Sequence, residues 1–238
     1  MRVQLCVLTV VCGVAGISAS AMPPFFTACS ASDPALDSCI ESVIRAGGRR
    51  FTQGIPELGI ATLDPVHLGT VHVDNPALKL TFYDTVVTGL GGFRINAFRM
   101  YNSEGRATLD FTSNVTLKAD YDMEGQLLIL PIRGKGQAKI KITNLNIIVK
   151  YQYSTHDGHW RVDSYRDSYK MDRAQFKFTN LFNGNKQLSD LTSRFVNENW
   201  RVIMSEVAPP AINEITRRCV KEVEKLFTAV PSSELLRP

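Results

Sequence analysis

The chain has 238 residues, of which 44% are hydrophobic and 21% charged, a balance that supports a sizeable core and excludes intrinsic disorder. Its 27 Lys and Arg against 23 Asp and Glu give a formal net charge of +4, and these charges are scattered along the sequence rather than run together, so no nucleic-acid partner is indicated. No repeat, low-complexity tract or flexible linker divides it, and residues 22–238 read as one domain.

The chain opens with MRVQLCVLTVVCGVAGISASA. Arg2, the apolar run after it and the small-residue site Ala19-Ser20-Ala21 form a secretory signal peptide over residues 1–21. The mature chain then starts at Met22 and is secreted to the extracellular space. The apolar run is shorter than the roughly 20 residues a spanning helix needs, and no later run is apolar enough to span, so no stable membrane insertion is expected. Cys6 and Cys12 leave with the leader. Of the three cysteines that remain, Cys29 and Cys39 are assigned as the disulfide, and Cys219, inside a helical pattern, as a buried thiol.

Leu36, Ile40, Val43 and Ile44 mark one face of a short helix that Asp37 caps and Gly47-Gly48 end. The segment Gly54-Ile-Pro-Glu-Leu-Gly-Ile60 and the Asp64-Pro65 pair read as loop. Alternation at Leu78, Leu80 and Phe82, and again at Phe93, Ile95 and Ala97, predicts strands. The clearest pattern runs from Leu109 to Glu124, where every second residue is apolar or small: a strand with one wet face. At about 3.3 Å per residue it would reach roughly 50 Å, so it must curve around something. Glu104-Gly105, Glu124-Gly125 and Asp157-Gly158 are the expected hairpin turns of an antiparallel meander.

From Ile140 and Ile142 the apolar parity shifts to Leu145, Ile147, Val149, Tyr151 and Tyr153, which predicts a bulge near Thr143-Asn144. Ala174, Phe176 and Phe178 give one more strand. Apolar residues then recur every three to four positions from Leu188 through Leu191, Phe195, Val202 and Ile215 to Leu226, a helix from Gln187 to about Phe227 that Pro209-Pro210 must kink or divide into two. Trp200 is read as a pin between helix and sheet.

The sequence lacks a catalytic pattern. No G-x-S-x-G elbow precedes a helix. His156-Asp157-Gly158-His159 is a turn rather than a metal site, and His67 and His72 are structural. Gly134-Lys135-Gly136 lacks phosphate-loop spacing and reads as a strand bend. No metal, cofactor or enzymatic activity is expected. Asn114-Val115-Thr116 is a sequon with Asn114 on the polar strand face. What remains is apolar surface on a curved sheet and a helix, which fits either a plain core or a pocket for an apolar ligand. Phe111, Val115, Tyr121, Ile147, Tyr151, Phe176, Phe195, Val202 and Ile215 are the candidate lining, with Tyr121 and Tyr151 able to hydrogen-bond an ester, epoxide or carboxyl head group.

Taken in order, these features resemble the insect haemolymph juvenile hormone binding protein family, and within it the takeout-like branch. The residues that carry the resemblance are the Cys29/Cys39 pair with Ile40, Gly54 to Ile60 with Leu63-Asp64-Pro65, Gly89-Leu90 before Phe93, and Leu130-Pro131-Ile132 with Gly134 and Gly136. Leu181-Phe182-Asn183-Gly184 with Leu188, Asn197-Glu198-Asn199-Trp200 and Val230-Pro231 complete the series. The resemblance implies an α+β, tubular lipid-binding fold, a long C-terminal helix wrapped by a highly curved antiparallel sheet around a hydrophobic tunnel. It also implies non-catalytic carriage, as a monomer, of a small hydrophobic ligand such as a juvenile-hormone-like terpenoid or a fatty-acid-like lipid. A secreted protein acting on lipid aggregates or bacterial surfaces is the alternative. Ala61-Thr62 stands where many members carry Pro-Pro, and the second disulfide of the hormone carriers proper is missing; both departures favour the takeout-like branch.

Overall fold

The computed structural model describes residues 22–238, so the expected leader lies outside the described residues. The chain runs β1 (Cys29–Ser30), α1 (Leu36–Thr52), β2 (Val66–Asn75), β3 (Leu78–Thr88), β4 (Arg94–Tyr101), β5 (Arg106–Leu127) and β6 (Leu130–His156). It continues with β7 (His159–Lys170), β8 (Arg173–Phe178), α2 (Lys186–Glu198), α3 (Trp200–Ala229), α4 (Ser232–Leu235) and β9 (Leu236–Arg237).

The organising unit is the β5–β6 hairpin, whose strands of 22 and 27 residues far exceed the usual length of about six. Strands this long coil with their right-handed twist and cannot lie flat. Along the free side of β5, β4 and β3 pair end to end; along the free side of β6, β7 and β8 do the same, and β2 pairs with β3. The seven-stranded antiparallel sheet thus has two halves, β4–β5–β6–β7 and β2–β3–β5–β6–β8. Helix α3 packs against β7, β2 and β8 and closes the wrap.

At the waist between the halves, Ser113 pairs with Leu145 but Val115 pairs with Ile142, so β6 carries one extra residue. This is the bulge expected from the parity shift. Asn144 sits there with φ +48, and its N–H donates to Asn114 Oδ1 at 2.8 Å. The carboxamide of the sequon asparagine therefore holds the bulge.

Several boundaries differ from expectation. Glu124-Gly125 is not a turn: β5 continues to Leu127, and Gly125, with φ +140, lies where a Cβ would come within 2.3 Å of Ala77 O. Helix α1 does not stop at Gly47-Gly48; it continues to Thr52, and both glycines are buried under the rings of Phe26 and Phe93. The C-terminal helix breaks at Asn199 rather than at the prolines. The side chain and N–H of Asn199 both donate to Phe195 O, ending α2, and α3 then runs through Pro209 and Pro210. Its inward face, Ile203, Met204, Val207, Ala211, Ile212 and Ile215, is buried, and that packing outweighs the missing N–H groups.

Both helices also satisfy strand edges. Asp37, expected as a cap, accepts instead from Met100 N–H on β4, and Glu41 accepts from Phe98 N–H. At the other end Asn197 accepts from Phe176 N–H and donates to Phe176 O, as a neighbouring strand would. Asn197→Ala leaves both backbone groups unpaired and should cost roughly 2 kcal/mol. Urea denaturation checks this, with amide exchange expected to quicken first in β8; an unchanged midpoint would remove Asn197 from this role.

The Gly134-Lys135-Gly136 step has a packing origin. Tyr121 is buried, and its hydroxyl donates to Thr179 O at 2.6 Å across the cleared space. A Cβ on Gly134 would lie 2.8 Å from that hydroxyl, and one on Gly136 2.6 Å from Thr179 O.

Candidate ligand cavity

Among the described residues the second half is closely packed, whereas the first half is hollow. A void of about 310 Å³ lies between α1, the inner faces of β4 to β7 and the C-terminal part of α3. Met22, Phe26, Leu235 and Leu236, from the two ends of the described chain, border it as well. These ends are tied together where β1 pairs in parallel with β9, and the Cys29–Cys39 disulfide fastens β1 to α1.

The void persists because its walls cannot fold inward. On one side, Phe93 and Phe111 meet edge-on at 6.0 Å; on the other, Tyr151, Tyr153, Trp160 and Phe227 form a chain of ring contacts at 6.2, 5.3 and 5.4 Å. Besides Phe227, α3 contributes Ile215, Thr216, Cys219, Val220, Val223 and Leu226. Thr216 and Cys219 are small, so this part of the helix leaves space that the rings do not fill.

Among the described residues the wall carries no charged side chain. Its polar groups are neutral and few. Tyr153, next to the wall but not lining it, donates its O–H to Asn102 Oδ1 at 3.0 Å, whereas the Tyr151 hydroxyl has no hydrogen-bond partner among the described residues. Burial, with the neighbouring Tyr153, pushes the Tyr151 phenol well above its ordinary pKa. The Thr216 hydroxyl is buried and has no hydrogen-bond partner among the described residues. The Cys219 thiol is pushed up to about 12, chiefly by burial and then by the charge of Glu222. Tyr151 and Cys219 keep some accessible surface yet are deep in the protein, because that surface faces the void.

Of the residues expected to line a pocket, Phe111, Ile147, Tyr151 and Ile215 are on this wall. Val115 is packed at the waist. Tyr121 is consumed by its bond to Thr179, and Phe176 borders a void of only about 10 Å³, room for no more than a water. Phe195 is half-buried on α2 and Val202 is 49% exposed. The stripe Leu188–Leu191–Phe195–Val202 faces outward because Thr192, Val196, Trp200 and Ile203 take the inward positions. Trp200, 4% exposed, is packed in the core of the second half and does not border the large void.

Sequence reading missed Ile40, Val43 and Ile44 of α1 as wall residues, along with Trp160 and both ends of the described chain. The apolar face of α1 was visible, but not that it faces a void rather than a packed layer.

A helix enclosed by a curved antiparallel sheet, hollow at one end, defines the tubular lipid-binding class of fold. The chain belongs to the haemolymph juvenile hormone binding protein (JHBP) family, whose sequence model matches residues 5–237. The crystal structure of Epiphyas postvittana Takeout 1 superposes with a TM-score of 0.84 at 29% identity, covering 89% of this chain and 99% of that one. The circadian clock-controlled protein daywake of Drosophila melanogaster is 28% identical over 216 residues, 83% of each chain. Its Drosophila yakuba counterpart is 28% identical over 222 residues, 84% of each. Membership and fold together make this a hydrophobic-ligand carrier.

Proposed function

We propose that the protein is exported by its residue 1–21 leader and carries one uncharged lipophile, bearing a single polar group, in the cavity of its first half. The observation behind this is the wall itself: apolar, without a cation, and with one unpartnered phenol at Tyr151. A void of about 310 Å³ falls in the range of small-molecule pockets and has room for on the order of ten methylene-sized groups. Burying them would supply on the order of 8 kcal/mol before ordering and association costs. An ionised carboxylate taken inside would meet no compensating cation, an arrangement that costs several kcal/mol. This favours a terpenoid ester, ketone or alcohol over a fatty acid, which would have to leave its head group at the mouth. Tyr151 O–H is the donor such a ligand would use.

Cys219 supplies the test, since it is the free thiol among the described residues and it borders the void. Thiol-reactive probes should modify it slowly, because burial pushes the thiol up to about 12. A farnesyl-type ester or dodecanol should slow modification at least tenfold further, at lower concentrations than dodecanoate does. Equal protection by dodecanoate would overturn the charge argument. No protection by any lipid, with none detected by native mass spectrometry, would overturn the carrier reading.

A further inference from the structure

Charges that are scattered along the sequence are gathered by the strand register. Lys118 on β5 pairs directly with Lys139 on β6, and Lys139 pairs directly with Lys177 on β8. With strands about 4.8 Å apart, three lysines stand in one row across the outer face of the second half. Lys141 is the next outward residue of β6, opposite Gln175, and Arg173 follows on β8, opposite Thr143. The residues between them, Leu117, Ile140, Ile142, Ala174 and Phe176, are buried, so all five cations point outward.

None of the five makes an ion pair among the described residues. Other cations on the same sheet do: Lys135 pairs with Asp122 at 3.3 Å. The nearest acid along β5, Asp120, stands opposite Gln137, and Asp172 accepts from the Asn144 side chain. Like charges directly opposite each other on a sheet repel, so this row is a local cost to the fold that no ion pair among the described residues offsets. An anionic partner would supply that compensation.

We propose that this face docks side-on to an anionic lipid membrane, where the carried lipophile is exchanged. The choice of a membrane over a soluble polyanion rests on two observations. The first is Tyr83, 41% exposed and opposite Asp120 at the border of the row, an amphipathic ring of the kind that settles at lipid head groups. The second is the apolar cavity, whose cargo must come from or go to a lipid phase; this point rests on the carrier reading above.

The test is flotation of the mature chain with phosphatidylcholine vesicles, alone or mixed with phosphatidylserine. Thr116→Ala serves as background, removing the sequon while leaving the Asn114 carboxamide on the bulge. Binding should require phosphatidylserine and fade as salt rises from about 0.1 M to about 1 M, where the Debye length falls from roughly 10 to 3 Å. Lys118→Gln, Lys139→Gln and Lys177→Gln together should weaken binding about a hundredfold, or around fivefold per cation. Because it removes repulsion, the triple variant should fold at least as stably, and Cys219 protection by dodecanol should not change. Equal binding to both vesicle types, or undiminished binding by the triple variant, would overturn the proposal, as would binding to heparin without binding to vesicles. Vesicle binding that follows the lysines while no lipid protects Cys219 would keep the docking surface and remove the cargo.

Discussion

Val149→Trp is expected to weaken lipid carriage about a hundredfold while leaving the fold intact. Val149 lies on β6 between Leu109 of β5 and Asp167 of β7, and its side chain borders the void. An indole there would occupy space now available to three or four methylene-sized groups of ligand. At ~0.8 kcal/mol each, their exclusion removes roughly 3 kcal/mol of binding, about a hundredfold in affinity. The empty protein should lose nothing in urea denaturation, because the ring fills space that is already vacant. Displacement of a fluorescent lipid gives the readout, and wild-type affinity in the variant would show that the ligand lies elsewhere.

Glu222→Ala is expected to cause the largest loss of stability among these variants, roughly 3 kcal/mol. Glu222 is buried on α3. Its Oε2 accepts from Ala61 N–H at 2.7 Å and from Lys225 Nζ at 2.7 Å, and Lys225 also donates to Gly59 O at 2.8 Å. One carboxylate thus fastens the Gly54–Ile60 loop to the helix that forms the cavity wall. Removing it orphans the Ala61 N–H and strands a lysine whose side chain is 33% exposed, so water recovers part of the cost. Glu222→Gln, which keeps an acceptor for Ala61, should lose about half as much. Guanidinium denaturation of both variants decides this; a loss below about 1 kcal/mol in the alanine variant would mean the loop is held by other contacts. The same geometry disfavours proline at position 61, since a proline has no N–H to give Glu222.

Several features of the fold were readable because a single residue type betrays them. The bulge showed itself as a parity shift, since an extra residue in β6 moves every later side chain to the opposite register. The motif pieces Leu63-Asp64-Pro65 and Gly89-Leu90 looked unrelated. In three dimensions Asp64 accepts from Gly89 N–H at 2.9 Å and Gly91 N–H at 2.8 Å, joining β2 to the turn after β3. Glycines misled where their reason was not a turn: Gly47 and Gly48 make room for rings, and Gly125 for a carbonyl.

The cavity was only half legible. Periodicity says that a side chain points inward; it does not say whether protein or empty space stands opposite. Ile147 and Ile215 were placed on the wall on the same grounds that misplaced Val115 and Phe176. The outward stripe on α2 was read as inward because its spacing is as regular as that of a core face. Thr192 and Val196, beside it, gave no stronger signal. The lysine row was invisible for a related reason, since cross-strand neighbours are set by register, and Lys118, Lys139 and Lys177 are far apart in the chain.

The strand edges sealed by Asp37, Glu41 and Asn197 bear on how copies of this chain behave toward one another. A free edge offers a row of unpaired donors and acceptors on which a second molecule can add a strand, the first step toward fibrillar aggregation. Here α1 and α2 lie along those edges of β4 and β8, their side chains occupying backbone groups that a neighbour would otherwise recruit. The helices along these edges therefore occupy, through three polar side chains that resemble ordinary surface residues in the sequence, backbone groups on which a second copy would otherwise pair.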